Sequence, residues 1–170
     1  MTNQNPTPRM MFTDILEDNE PKAMAWVTGS PMAPYLSGLV KFYDTPYGGV
    51  LIEAEIFGLP NVVTPNSTNF YAMHIHQFGD CSGSGFPSTG DHFNPTNTLH
   101  PGHAGDLLPL LANQGYAWMS FYDKRFTIPQ IIGRSLVVHQ MPDDFMTQPS
   151  GHSGEKIGCG VIRWVNARGQ

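Results

Sequence analysis

The chain is divided into short apolar segments by turns rich in glycine and proline, and this segmentation excludes most architectures. Lys22–Thr28, Ser37–Asp44, Gly49–Phe57, Phe70–His76, Gly115–Asp123, Arg134–Gln140 and Ile157–Val165 read as strands. Leu51, Ala54 and Ile56 lie near alternation in one of them, and another alternates around His74 and His76. Breaks such as Gly29-Ser30-Pro31, Thr45-Pro46-Tyr47-Gly48-Gly49 and Gly58-Leu59-Pro60 separate them. The 18 glycines and 15 prolines, against 14% charged residues, suit a sandwich or barrel better than a helical bundle.

A length of 170 residues and a hydrophobic fraction of 40% predict one globular domain. Residues 1–21 are polar, with two early prolines and the acidic run Glu17-Asp18-Asn19-Glu20. They read as a tail, flexible or draped over the surface, ahead of a domain spanning 22–170. A net charge of −5 without a basic run argues against nucleic acid as a partner. No apolar run approaches a membrane span. The N-terminus lacks the pattern of a secretory signal, which gives a cytoplasmic expectation. Cys81 and Cys159 are either free thiols or one long-range disulfide, and a disulfide would point instead to an oxidising compartment.

Six of the seven histidines fall between His74 and His139. On a strand, His74 and His76 project from the same face and make half of a metal site. From Gln77 to about Asn113 the chain is dense in small and polar residues with little periodicity, and a loop of that length is usually functional. It carries His92, His100, His103 and Asp106, and three imidazoles with one carboxylate suit a tetrahedral zinc ion. His139 ends an apolar run that could lie beside Phe70–His76. Taken singly, each histidine is commonplace. As one set, six histidines and an aspartate fit two metals, and imidazole-rich sites suit copper as well as zinc. A second irregular segment, Met141–Lys156, precedes the last strand.

These residues resemble the copper-zinc superoxide dismutase family. The matching strings are His74-Ile-His76-Gln-Phe-Gly-Asp80-Cys81, Gly90-Asp-His92-Phe-Asn-Pro95, His100, His103-Ala-Gly-Asp106-Leu, Ile132-Gly-Arg134-Ser-Leu-Val-Val-His139, Asp143-Asp144 and Gly151-His-Ser-Gly154-Glu-Lys-Ile-Gly-Cys159-Gly-Val-Ile162, in the family's order across roughly 22–165. The resemblance implies an all-β fold, an eight-stranded Greek-key barrel or sandwich with two long functional loops over the metals. Only seven strands are plain in the sequence, and the eighth would fall at Asn61–Thr68 or Pro129–Ile132. It also implies copper on His74, His76, His92 and His139, and zinc on His92, His100, His103 and Asp106, with His92 shared. Asp143 would link copper and zinc ligands, and Cys81 would pair with Cys159.

The implied activity is disproportionation of superoxide to oxygen and hydrogen peroxide, an oxidoreductase reaction, in a chain whose relatives commonly form homodimers. His92 would exchange a proton, and Lys156 would guide the anion. The family carries arginine where Lys156 stands. Lysine keeps the charge but lacks the planar fork, so a lower rate with stronger salt dependence is expected. Lys124 and Arg125 are further cations that nothing in the sequence places at the site, and His152 reads as a surface residue. The principal alternative is a non-catalytic metal-binding or copper-delivery protein on the same fold. A structural zinc barrel and a copper-only relative each leave part of the ligand set without a use, and a hydrolytic metalloenzyme would want an open zinc position and a general base, whereas this zinc set is closed at four.

Overall fold

In β1 (Ala23–Gly29), Ala23, Ala25 and Val27 are buried while Trp26 and Thr28 face outward, the period of two of a strand with one face on a core. The computed structural model describes residues 7–61 and 68–165. Next come β2 (Ser37–Asp44), β3 (Val50–Phe57), β4 (Phe70–Tyr71), β5 (Met73–His76), β6 (Leu110–Leu111), β7 (Ala117–Asp123), β8 (Ser135–His139) and β9 (Lys156–Trp164). Seven of these form one antiparallel sheet in the order β5-β8-β9-β1-β2-β3-β7, and β4 pairs with β6. The sheet curls. β4 runs directly into β5 at one edge, and β6 packs against β7 at the other. The neighbours β9–β1, β3–β7 and β5–β8 are not consecutive in the chain, as a Greek key requires.

The enclosed face holds Val40, Phe42, Ile52, Ile56, Met73, Ile75, Leu136, Val138 and Ile162. Each large side chain there contributes about 1.5–3 kcal/mol by leaving water. In β3 the core partners of Ala54 and Ile56 are Val50 and Ile52. Leu51 has the opposite parity and lies on the outer face.

That outer face explains the N-terminal arm. Thr7 caps α1 (Pro8–Asp18) with its hydroxyl, and Pro8 stands at the first helical position, where its missing N–H costs nothing. Phe12, Ile15 and Leu16, spaced three and four apart, fall on one side and pack on Tyr43, Leu51 and Tyr122. Pro8–Asp18 is therefore a helix draped over the outer face of the sheet; residues 1–6 lie outside the described part.

Two expectations are corrected. Pro129–Ile132 is not a strand: Ile128–Ile131 forms the short helix α2, started by Thr127 and Gln130 in a capping box. The additional strand is β6, two residues inside the segment that the sequence presents as structureless. Asn61–Thr68 lies mostly outside the described residues. No described helix is long and apolar enough to cross a membrane.

Candidate metal centre

Met73 and Ile75 of β5 enter the core, so His74 and His76 share the opposite face. β8 repeats the pattern, with Leu136 and Val138 inward and Val137 and His139 outward. The first turns of the long loop cover this outer face. Phe86 and Cys81 pack on Val137 and Cys159, and the Cys81–Cys159 disulfide ties the loop to β9. It closes a 78-residue separation, which restricts the unfolded chain by about 4 kcal/mol.

The rest of the loop is stitched along the free edge of β5. The Ile75 N–H donates to the Gly105 carbonyl at 2.9 Å, the Ile75 carbonyl accepts from Phe93 N–H at 2.8 Å, and the Gln77 N–H donates to Asp91 at 2.9 Å. These bonds set His92 beside His76 and Asp106 beside His74. Position 105 must be glycine, because a Cβ there would stand 2.3 Å from the Ile75 carbonyl oxygen.

Seven side chains converge as a result. Nitrogens of His74, His76, His92 and His139 lie within 4.8 Å of one another, and so do ligand atoms of His92, His100, His103 and Asp106. His92 belongs to both groups, and all seven residues are buried.

Hydrogen bonds decide which ring nitrogens are left over. His76 Nδ1 is 2.9 Å from the Gly90 carbonyl, which can only accept, so Nδ1 carries the proton and Nε2 keeps its lone pair. His139 Nδ1 faces the Gly154 carbonyl at 3.3 Å and is protonated for the same reason. Ser153 Oγ donates to the Ser150 carbonyl and can accept from that Nδ1 at 3.3 Å. With both rings neutral, His76 Nε2 and His139 Nε2 thus present lone pairs to each other at 3.2 Å, an arrangement that a cation between them relieves. Asp143 fixes two more rings. Its carboxylate accepts from His74 Nε2 at 2.8 Å and His100 Nε2 at 2.9 Å, leaving Nδ1 of each as the free donor.

The nitrogens His74 Nδ1, His92 Nε2, His100 Nδ1 and His103 Nδ1 are buried without a hydrogen-bond partner among the described residues. Asp106 completes the second group, its oxygens 2.7 Å from His92 Nδ1, 3.0 Å from His100 Nδ1 and 3.3 Å from His103 Nδ1. Burial works against its charge, but the bond and proximity to His92 hold it ionised below the usual carboxylate range. Buried, ionised and turned on three imidazoles, it suits a divalent ion. Four inward nitrogens in one group and three nitrogens with one oxygen in the other fit copper and zinc by donor type.

Burial lowers the His74 imidazole to about 4 and His76 to about 2, and pushes His139 well below its ordinary value. Asp143 stays ionised down to about 2: burial opposes this, and bonds from His74, Phe145 N–H and His100 overcome it. The rings of His74, His76 and His139 are therefore neutral donors at physiological pH. Because the folded histidines bind fewer protons than unfolded ones, their contribution is whole above about pH 6.5 and falls as the pH drops toward about 4. Metal-free protein is expected to lose roughly 1.4 kcal/mol per pH unit for each such ring in that window. Urea midpoints of the metal-free protein measure this, and a flat profile between about pH 6.5 and 4.5 would contradict it.

A cleft of about 410 Å³ opens onto the first group, lined by His76, His92, His139, Asp91, Ser153 and Lys156. A register shift in the β8–β9 ladder sets Lys156 opposite His139 and leaves Ile157 to the core. The Lys156 ammonium donates to Thr89 Oγ1 at 2.7 Å and the Gly90 carbonyl at 3.3 Å. Burial lowers its pKa, and Asp91 works against that. His152 is exposed and joins neither group, and Arg125 is turned away from the cleft. Thr89, Gly90 and Ser153 position site residues and escape sequence reasoning, since a lone hydroxyl or glycine in a polar loop gives no signal.

Residues 36–162 match the family model for copper/zinc superoxide dismutase. The chain is 36% identical over 141 residues to the copper-zinc superoxide dismutase 3 of Arabidopsis thaliana, covering 74% of this chain and 81% of that protein. It is 34% identical over 140 residues to the copper chaperone for superoxide dismutase of Rattus norvegicus. That match covers 75% of this chain but only 48% of the chaperone, about half its length. The solved structure of a double mutant of a SOD-like protein from Bacillus subtilis superposes with a TM-score of 0.71 at 25% identity, covering 82% of this chain and 96% of that one.

Proposed function

Because this chain belongs to the copper/zinc superoxide dismutase family, we propose that it disproportionates superoxide, with copper on His74, His76, His92 and His139 and zinc on His92, His100, His103 and Asp106. The observation that carries this is the set of buried imidazole nitrogens without hydrogen-bond partners among the described residues, which fall in two groups that share His92. Copper, when bound, supplies one-electron redox chemistry, and zinc supplies charge and order without redox chemistry.

The chain's own residues do the rest. His92 lines the cleft, and its buried Nε2 is the atom to hold and release a proton, while Nδ1 is engaged toward Asp106. Asp143 keeps His74 and His100 in fixed orientations from one carboxylate. With a net charge of −5, the protein needs a local positive centre to draw in an anion. Two of the three Lys156 N–H bonds are committed to Thr89 and Gly90, which leaves one for the substrate. Lys156→Arg is expected to raise kcat/KM at low ionic strength about two- to fivefold, through a wider donor fork. Superoxide decay at several salt concentrations reads this, and an unchanged rate at low salt would remove Lys156 from the guiding role.

Likeness to a copper chaperone supports a second reading, in which the domain holds or delivers copper without turnover. Metal content measured beside superoxide consumption separates the two. About one copper and one zinc per chain with fast consumption is the expected result. Full loading without consumption would replace catalysis by delivery.

A further inference from the structure

β7 ends at Asp123, and the chain turns there toward α2. Two residues on, Arg125 folds back on that carboxylate. Its backbone N–H reaches Asp123 Oδ1 at 2.8 Å, Nε lies 3.1 Å from both oxygens, and Nη2 is 2.6 Å from Oδ2. The carboxylate is buried, so the pair is well shielded from solvent on that side. The far edge of the guanidinium then crosses to the long loop. Nη1 donates to the His103 carbonyl at 3.0 Å, and Nη2 donates to the Asp106 carbonyl. These are the main-chain oxygens of two members of the second metal group, and the bond from Asp106 N–H to the His103 carbonyl and the one from His103 N–H to Asp106 Oδ2 close the same turn.

We propose that Arg125, anchored by Asp123, is a positioning residue that presets the His103–Asp106 turn for zinc. A planar fork can span a carboxylate and two carbonyls at once, whereas an ammonium offers a single point of charge. The clamp joins the barrel corner after β7 to the loop, so the spacing of His103 and Asp106 does not depend on the loop alone. This rests on reading His92, His100, His103 and Asp106 as a zinc site.

The test is chelator competition on the fully metallated protein, comparing wild type, Arg125→Ala and Arg125→Lys. Zinc affinity is expected to fall about 10–100-fold in the alanine variant and to be recovered only in part by lysine. Copper affinity should stay within about threefold of wild type, which a general loosening of the fold would not allow. Cobalt(II) placed in the zinc position should show an altered visible spectrum in both variants, because the ligand turn is no longer held. If the alanine variant does not fold, the lysine variant carries the comparison. Zinc affinity in a folded variant within about threefold of wild type, or copper and zinc weakened equally, overturns the clamp. A wild-type protein that takes up no zinc overturns the site and the clamp together.

Discussion

His139→Ala is expected to abolish superoxide consumption, by at least about a thousandfold, while zinc stays bound. His139 closes one side of the first group, its Nε2 opposed to His76 Nε2 at 3.2 Å, and it takes no part in the second. Its backbone N–H is held by the Ala72 carbonyl whatever the side chain, so the strand should survive. Alanine leaves an opening where a ring stood and removes one of four nitrogen donors, but His92, His100, His103 and Asp106 keep their contacts. Metal content and superoxide decay on the same preparation give the answer. A variant retaining a tenth or more of the rate would show that His139 is not needed for turnover, and with it the proposed copper set would fail.

The second large effect is on stability. Gly151 has φ +68, and a Cβ there would lie 2.0 Å from Asp143 Oδ1 and 2.7 Å from His100 Nε2. The backbone cannot easily retreat, because Gly151 N–H donates to Thr147 and its carbonyl accepts from Asp144 N–H. Gly151→Ala therefore combines a left-handed backbone with the parting of a buried charge-assisted bond. The two together cost about 3–5 kcal/mol. Both metals should weaken, since Asp143 serves His74 and His100 alike. Denaturant midpoints with and without metals measure it. A loss under about 1 kcal/mol with normal metal content would mean that the carboxylate can move without consequence.

How much of this was legible follows from which interactions are local. The seven strands announced themselves because their side chains obey a period of two set by the backbone. β6 did not, since two residues such as Leu110–Leu111 cannot show a period, and their pairing with Phe70–Tyr71 is decided across the fold. Leu51 breaks the alternation of Ala54 and Ile56 because a helix covers it from outside, and burial from outside looks the same in a sequence as burial from within. That six histidines and Asp106 form one set was readable from one strand and one His-rich loop, whereas their division into two groups sharing His92 entered only with the family resemblance. The grip of Lys156 on Thr89, and of Arg125 on His103 and Asp106, joins residues about 20 to 70 positions apart, a distance over which side-chain direction leaves no trace in the sequence.

The loop that presents His92 and Asp106 also occupies the backbone groups on the open side of β5. An unguarded strand offers itself as a template to any other chain, and repeated addition builds fibrils. Here the guard and the ion cradle are the same residues. Removing the ions proposed for it is expected to loosen the guard as well, which would tie the colloidal behaviour of the protein to its metal supply.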